Sequence, residues 1–262
     1  MRAIITGAAG GIGFAAAEKL RQLAVAKNEK CQLMLVDINA EALSDAASKL
    51  AALGAEVLSF VGDLSDPLVP QQIVDATKKA FHGIDALISN AGIIGRAFLA
   101  DLTVEQFDQT FAINTRATWL LAKAAYPLLK ESRGAIVATA SISGVHPTPP
   151  LGMYSPSKAA LLMLMRQLSV EWGPDGIRCN CVSPGSTHTN MTDARYSDPV
   201  LREEARKKNP LHMVAQAEHQ ASVIAFLVSQ DAAYVNGENI VVDGGLQNML
   251  MPASGMGDPW SR

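Results

Sequence analysis

Residues 6–13 read TGAAGGIG, and the glycines in this stretch can be counted in two ways. Gly7, Gly10 and Gly13 form an even series, whereas Gly7, Gly11 and Gly13 form an uneven one. The stretch lies between an apolar run and a helix-like segment. Small residues at such a junction let the backbone approach a pyrophosphate, and the N–H groups that begin the helix favour an anion. The stretch therefore predicts a dinucleotide site, with a tight glycine turn as the alternative explanation.

The composition indicates a soluble protein with a sizeable core. The 262 residues are 48% hydrophobic and 18% charged, and no apolar run approaches the ~18 residues of a membrane span. A formal net charge of −3 gives no electrostatic reason to expect nucleic acid or a membrane as a partner.

Cys179 and Cys181 alternate as in a buried strand and have no His or Cys pair at ligand spacing, so we expect no metal. Three cysteines without a disulfide pattern favour the cytoplasm.

Short apolar runs alternate with longer amphipathic segments along the chain. The predicted strands are residues 3–6, 32–37, 55–63, 86–89, 135–141, 177–184 and 239–244. The predicted helices are residues 12–26, 40–53, 67–82, 104–131, 154–173 and 217–229. This alternation predicts an α/β fold, a Rossmann-like doubly wound parallel sheet of about seven strands with helices on both faces. We expect one domain over residues 1–262, with a mobile substrate loop at 188–216 and a tail at 246–262.

Polar residues end successive predicted strands, at the edge where open α/β sheets bind ligands. Asp37 ends the second strand, Asp63 ends the third, and Asn90 follows the fourth. A carboxylate at Asp37 can accept hydrogen bonds from ribose hydroxyls and repels a 2′-phosphate. No Lys or Arg occupies residues 8–12 or 38–40, so we expect NAD rather than NADP. Asp63 and Asn90 are also explained as simple turn or capping residues.

A second polar group follows the fifth predicted strand. Tyr154 and Lys158 are four residues apart, which places them on one face of a helix. A nearby ammonium favours the phenolate and is expected to lower the pKa of Tyr154, which can then act as a general acid or base on an alcohol or ketone. Ser141, at a strand end, can donate a hydrogen bond to the substrate oxygen. The Tyr–Lys pair by itself is also explained as an exposed helical pair.

Nine segments in order resemble the short-chain dehydrogenase/reductase family over nearly the whole chain. They are TGAAGGIG, Asp37, GDL, SNAG, FAINTRATW, ATASISG, YSPSK, VSPGSTHT and NGENIVVDGG. The resemblance implies reversible NAD(P)-dependent oxidation of alcohols by a tetrad of Asn114, Ser141, Tyr154 and Lys158, with Asn114 supporting a water relay. The cofactor-binding residues that it implies are Gly7, Gly11, Ile12, Gly13, Asp37, Asp63, Leu64, Asn90, Ala91, Gly92, Tyr154, Lys158, Pro184, Gly185, Thr187 and Thr189.

The resemblance also decides between the two glycine counts. The even series is typical of an extended branch of epimerases and dehydratases. Ser141 precedes Tyr154 by 13 residues, a short gap that suits the short-chain branch. The uneven series is therefore expected to be the functional set, and Gly10 is expected to be an extra small residue that tolerates serine.

The substrate pocket is the least specified part of the chain. By family position, the expected lining residues are Ile93, Ile94, Arg96, Ser141, Val145, His146, Leu151, Met153 and Met191. Most of them are apolar, which favours a hydrophobic secondary alcohol or its ketone. Arg96 or His146 can bind a substrate carboxylate, although a solvated loop charge is the more frequent explanation.

Two other functions are open. The VDGG ending also resembles reductases of acyl-carrier thioesters, and a 3-oxoacyl-carrier-protein reductase would use NADPH and a basic docking patch. A non-catalytic NAD-sensing or scaffold protein on the same fold has no need of Tyr154 together with Lys158. By the same resemblance we expect a homotetramer or a homodimer. The tail at 246–262 either docks onto a neighbouring subunit near its active site or is disordered.

Overall fold

The computed structural model describes residues 1–249, in which strands and helices alternate. The strands are β1 (Arg2–Thr6), β2 (Gln32–Asp37), β3 (Glu56–Val61), β4 (Ala86–Ser89), β5 (Ala135–Thr139), β6 (Arg178–Pro184), β7 (Thr187–His188), β8 (Ala215–Gln216) and β9 (Asn239–Val242). The helices are α1 (Gly11–Ala26), α2 (Ala40–Ala52), α3 (Val69–Phe81), α4 (Val104–Phe111), α5 (Ala117–Ser132), α6 (Tyr154–Trp172), α7 (Asp193–Tyr196), α8 (Pro199–Lys208) and α9 (Ala217–Val228).

The main sheet has seven strands in the order β3-β2-β1-β4-β5-β6-β9, and every neighbouring pair is parallel. The chain builds outward from β1 to β3, then returns to the other side of β1 with β4. This reversal leaves a crevice at the carboxyl ends of β1 and β4, the place where such sheets bind ligands. The predicted Rossmann-like fold is confirmed.

Both faces of the sheet are buried, which explains why its central strands read as continuous apolar runs. Ile4 of β1 packs into the core beneath α3, α5 and α6, whereas Ile5 packs into the core beneath α1, α2 and α9. Both side chains are fully buried, and each contributes about 1.5–3 kcal/mol relative to exposure. Cys179 and Cys181 of β6 also lie in the core under α6, as predicted.

The predicted helix over 104–131 differs from the structure, because a five-residue π segment (Ala112–Arg116) separates α4 from α5. A π turn inserts an extra residue into the helix and redirects the side chains around it. The segment carries Asn114 and Thr115. Their side chains form hydrogen bonds to Ile93 and Ser157, which are distant in sequence, rather than to their own helix. Apolar spacing does not report such a redirection.

The region 188–216, which the sequence left without elements, contains regular structure. β7 pairs with β8 in a small parallel sheet that is separate from the main one, and α7 and α8 lie between them in the chain. The mobility of this region stays a prediction. Of the tail, Leu246–Met249 form a 3-10 turn, and the docking prediction concerns mainly residues 250–262, which lie outside the described residues.

Within residues 1–249, no helix combines the length and the apolarity that crossing a bilayer would require.

Candidate active site

The glycine loop between β1 and α1 closes by direct backbone contact. Gly7 and Gly11 have φ angles of +62° and +54°, a region that glycine enters without steric cost. A Cβ atom on Gly13 would lie only 2.2 Å from the carbonyl oxygen of Gly7, so no side chain fits there. The loop therefore presents bare backbone to the crevice, as a pyrophosphate site requires.

The first turn of α1 offers its N–H groups without competition from a side chain. Its N-cap, Gly10, provides no capping side chain, and no acidic residue lies in the first turn. These N–H groups have no acceptor within the helix, and the helix dipole adds positive charge. Beside them, Asp37 accepts hydrogen bonds from the backbone N–H of Ala9 at 3.0 Å and of Asn39 at 3.1 Å. The loop and the end of β2 thus fit the pyrophosphate and ribose of a dinucleotide.

Asn90 ties together the carboxyl ends of three strands. Its Nδ2 donates to the carbonyl oxygens of Thr6 at 3.2 Å and Gly7 at 3.3 Å, while its Oδ1 accepts from Thr139 Oγ1 at 3.0 Å. Thr6 Oγ1 accepts from the backbone N–H groups of Asn90 and Ala91, each at 3.0 Å. The side chain of Asn90 is therefore engaged within the protein, and the cofactor contact predicted for Asn90 stays a prediction, for which its backbone is the freer group.

Two of the predicted cofactor contacts differ in exposure, because Asp63 is exposed and Leu64 is buried. Asp63 Oδ1 accepts a hydrogen bond from Ser65 N at 2.8 Å, which closes a turn after β3. The side chain of Leu64 is buried in the core, so the role predicted for Leu64 can fall only to its backbone. Ile12 is partly buried and packs against the core on the α1 side.

The segment after β6 lies over the glycine loop. The Cβ of Thr189 would be 3.2 Å from a Cβ on Gly11, although the two residues are far apart in sequence. Thr192 Oγ1, which the sequence did not single out, accepts from Thr189 N at 3.0 Å and donates to the carbonyl oxygen of Thr187 at 2.7 Å. Thr187 is buried, and its hydroxyl accepts from Gln220 Nε2 at 3.1 Å. These bonds shape the segment that carries Thr187 and Thr189, which were predicted to bind the cofactor.

A turn joins Pro184, the last residue of β6, to this segment. The turn packs against the VDGG stretch, residues 242–245. A Cβ on Gly185 would lie 2.5 Å from the Cβ of Asp243. Asp243 is itself buried and holds its own turn, accepting hydrogen bonds from the backbone N–H of Gly245 at 2.8 Å and of Gln247 at 2.7 Å. The glycine at 185 thus lets this turn pack directly against Asp243.

Tyr154 and Lys158 lie on the first turns of α6, as their spacing predicted. Burial lowers the pKa of Lys158 to about 8, and its Nζ donates to the carbonyl oxygen of Thr139 at 2.7 Å. Burial raises the pKa of Tyr154, and the hydrogen bond with Ser141 lowers it in part. The expectation that Lys158 lowers this pKa is therefore wrong for the protein alone: Nζ points at Thr139 and lies 5.8 Å from the centre of the phenol ring.

Asn114 joins the π segment to the loop after β4. Its Oδ1 accepts from Ile93 N at 2.8 Å, and its Nδ2 donates to Ile93 O at 3.0 Å and to Ser157 Oγ at 3.0 Å. A Cβ on Gly92 would lie 3.2 Å from Asn114 Oδ1 and 3.3 Å from Lys158 Nζ. The four predicted catalytic residues thus surround one region at the carboxyl ends of β4 and β5.

The predicted substrate residues lie on three loops around this region. Ile93, Ile94, Leu151 and Met153 are half-buried, and Arg96, Val145, His146 and Met191 are exposed. The backbone N–H of Gly152 donates to the carbonyl oxygen of Ala97 at 3.0 Å, which joins the loop after β4 to the loop before α6. In the described part of the chain neither Arg96 nor His146 forms an ion pair, so both explanations of these residues remain open.

The arrangement can move a proton next to a dinucleotide. A protonated phenol at Tyr154, whose pKa Ser141 lowers in part, lies at the same carboxyl edge of the sheet as the glycine loop, and a buried ammonium lies one helical turn away. Sequence reasoning missed Thr6, Thr139, Ser157 and Thr192. The signal for two of them was present, because Thr6 and Thr139 each end a strand directly after a run of at least three apolar residues.

Known proteins resemble this chain in both sequence and fold. The family model described as enoyl-(acyl carrier protein) reductase matches residues 7–247. 2-(R)-Hydroxypropyl-CoM dehydrogenase from Xanthobacter autotrophicus is 35% identical over 92% of this chain and 96% of its own length. Levodione reductase from Leifsonia aquatica is 35% identical, with 92% of each chain covered. The crystal structure of a short-chain dehydrogenase from Burkholderia cenocepacia in complex with NADP has a TM-score of 0.83 at 33% identity, and the match covers 94% of this chain and 97% of that chain.

Proposed function

The chain belongs to the short-chain dehydrogenase/reductase family and is an oxidoreductase, and from that premise we propose that it interconverts a secondary alcohol and its ketone with NAD. The observation that carries the proposal is the position of Tyr154, whose phenol ring lies 5.8 Å from Nζ of the buried Lys158 and whose pKa Ser141 lowers in part, at the edge of the sheet where the glycine loop opens. When bound, the cofactor supplies or accepts the hydride. The residues of the chain then handle the proton and the substrate oxygen.

Tyr154 is proposed to transfer the proton. Because burial raises the pKa of its phenol, Tyr154 is protonated at neutral pH and is ready to protonate the oxygen of a ketone. Ser141 donates a hydrogen bond to the same oxygen as negative charge develops on it. For the reverse reaction the phenol must lose its proton, and the ammonium of Lys158 favours that state when it stays charged. Alcohol oxidation is therefore expected to speed up with rising pH until Lys158 loses its charge, near its pKa of about 8.

The choice of NAD rests on Asp37. Its carboxylate, held by two backbone N–H groups, lies where an adenosine ribose would be bound and repels a 2′-phosphate. A related protein was crystallised with NADP, so membership of the family does not by itself fix the cofactor and the local charge must decide. We expect kcat/KM to favour NAD over NADP in the wild type and the preference to narrow in Asp37→Asn, which removes the charge but retains an acceptor. A wild-type preference for NADP would refute this choice.

The substrate is proposed to be a small or medium-sized hydrophobic secondary alcohol. Half-buried Ile93, Ile94, Leu151 and Met153 support an apolar pocket. The test is an absorbance screen at the NADH band over a panel of alcohols and ketones, with Tyr154→Phe as the control. If no alcohol reduces NAD and no ketone oxidises NADH, the proposal is refuted and the non-catalytic NAD-sensing alternative gains support.

A second candidate is the reduction of acyl-carrier thioesters, which the description of the matching family model favours. The last turn of α8 is basic, with Arg206, Lys207 and Lys208, although Arg206 pairs with Glu203 at 2.6 Å. This candidate requires NADPH and a carrier-bound substrate. Turnover of a 3-oxoacyl-carrier-protein with NADPH, faster than that of any free ketone with NADH, would favour it.

Self-association is also proposed, as a homotetramer or a homodimer. A surface groove of about 580 Å³ lies between α4, α5 and α6, and its lining residues are Asp108, Phe111, Ala112, Thr115, Arg116, Trp119 and Leu164. Trp119, which lines the groove, is exposed, as is Met163, which precedes the lining residue Leu164 in α6. The presence of both acidic and basic groups suits a two-fold contact with a second copy. Light scattering should show smaller particles for Trp119→Arg than for the wild type, and no change for Val25→Arg on α1.

A further inference from the structure

Ser157 lies between Tyr154 and Lys158 in the chain, yet no contact with substrate or cofactor has been assigned to it. Its side chain is fully buried. The hydroxyl donates to the carbonyl oxygen of Tyr154 at 2.7 Å, the bond that a helical serine makes to the preceding turn. The same hydroxyl accepts from Nδ2 of Asn114 at 3.0 Å. Ser157 is thus bonded to two predicted catalytic residues at once.

These bonds extend to the substrate side of the crevice. Asn114 holds both backbone groups of Ile93, accepting from its N–H at 2.8 Å and donating to its carbonyl oxygen at 3.0 Å. A continuous series of hydrogen bonds therefore runs from Ile93 through Asn114 and Ser157 to the backbone of Tyr154. Its two ends are a wall of the proposed pocket and the residue proposed to move the proton.

The neighbouring catalytic groups are held by other means. Lys158 is anchored on Thr139, and the pKa of the Tyr154 phenol is lowered in part by Ser141. Thr115, also in the π segment, donates to the carbonyl oxygen of Ser157 at 2.9 Å. This last bond joins the same two elements without touching Asn114, so Thr115 provides a matched comparison.

We propose that Ser157 is a positioning residue that keeps the Ile93 wall of the pocket in register with Tyr154 by holding the carboxamide of Asn114. Removing the hydroxyl leaves one N–H of a buried carboxamide without its acceptor, which is unfavourable. The carboxamide must then shift toward another acceptor, and it carries the backbone of Ile93 with it. This inference rests on the proposed function, because it assigns Ile93 and Tyr154 to one substrate.

The test compares Ser157→Ala with Thr115→Val in the full-length protein. Alanine suits a buried helical position, so the variant is expected to fold. For Ser157→Ala we expect kcat/KM for the alcohol to fall about tenfold, with a rise in KM, the loss that one unsatisfied buried group produces. The dissociation constant for NADH should stay within about twofold, since Lys158 is held separately. For Thr115→Val, kcat/KM should stay within about twofold, and Ser157→Cys, with a weaker donor and acceptor, should lie between the two.

A second measurement does not depend on turnover. Hydrogen–deuterium exchange of the peptide that contains Ile93, in protein without cofactor, should be faster in Ser157→Ala and unchanged in Thr115→Val. Equal losses of kcat/KM and equal exchange in the two variants would overturn the inference and leave Ser157 as one more structural hydrogen bond. A wild type without alcohol-dependent NADH formation would refute the proposed function instead, and the exchange result would still decide whether Ser157 holds Ile93.

Discussion

The two ends of the crevice are constructed in opposite ways. At the glycine end, chain segments touch because side chains are missing, as where a Cβ on Gly13 would lie 2.2 Å from Gly7 O. At the catalytic end, side chains make the contacts, as where Asn114 bonds to Ile93 and Ser157. The glycine end should therefore fail when atoms are added, and the catalytic end should fail when atoms are removed.

The largest effect is expected from an addition at the glycine end. Gly13→Val forces a side chain against the backbone of Gly7, and overpacking of this kind costs about 1–3 kcal/mol or more. Calorimetry should detect no binding of NAD, and the free energy of unfolding should fall. Gly173→Ala is the control, because the atom nearest to its Cβ would be Asn236 Nδ2 at 3.5 Å. Normal NAD binding by Gly13→Val would break the comparison.

The next largest effect is expected from a removal at the catalytic end. Tyr154→Phe deletes the proposed acid and base, and kcat should fall about 10²–10⁴-fold while NADH still binds. Tyr126→Phe removes a hydroxyl that bonds to Asp175 outside the crevice, and it should leave kcat unchanged. If the two variants were equally active, Tyr154 would not be the proton donor.

Removal of the buried charge of Lys158 at the catalytic end should also change the free energy of unfolding. The pKa of Lys158 is lowered to about 8 from an ordinary value of 10.5. Between these values the unfolded chain binds more protons than the folded protein, so wild-type stability rises with pH across this window. Below it, the buried charge costs up to about 3 kcal/mol.

Lys158→Met should therefore be inactive, yet more stable than the wild type at pH 7. Urea denaturation at several pH values should show its advantage shrinking between pH 8 and 10.5, the window that the lowered pKa of Lys158 defines. Exposed Lys49→Met controls for the loss of a charge as such. An advantage that stays constant from pH 7 to 10 would contradict burial of a charged Lys158.

The smallest effect is expected where the glycine end meets a movable side chain. A Cβ on Gly10 would lie 2.6 Å from Asn190 Nδ2, and Asn190 is exposed, so its amide can swing away. Gly10→Ser should weaken NAD binding by no more than a few-fold, about 1 kcal/mol. In an Asn190→Ala background the serine should have no effect, which a double-mutant cycle measures. A loss as large as that of Gly13→Val would place Gly10 in the functional set.

Much of this molecule was predictable from the sequence, because its signals are local. Alternating apolar runs predicted the sheet, and the four-residue spacing of Tyr154 and Lys158 placed them on one helical face. The π segment was not predictable, since Asn114 and Thr115 are drawn out of helical register by Ile93 and Ser157, which are distant in the chain. The strands β7 and β8 were also missed, because two-residue strands leave no periodicity.

The assignment of roles divides in the same way. A role was predicted for Asp37 from its position at a strand end, whereas Ser157 and Thr192 could be noticed only through the partners that folding brings to them. The pKa of Tyr154 shows the limit most plainly. The sequence placed an ammonium nearby and predicted a lower value, but burial raises the pKa, and Lys158 points at Thr139 instead.

The sequence by itself determined the fold and the family, and it predicted the residues at both ends of the crevice. Periodicity, strand ends and motif spacing are local patterns that can be recognised from the order of residues alone. Only the tertiary structure decided that Gly13 presses on Gly7, that Gly10 faces Asn190, and that Ser157 links Asn114 to Tyr154. Contacts of this kind depend on distances between segments that are remote in sequence. Burial, which governs the titration of Tyr154 and Lys158, depends on all of those segments together.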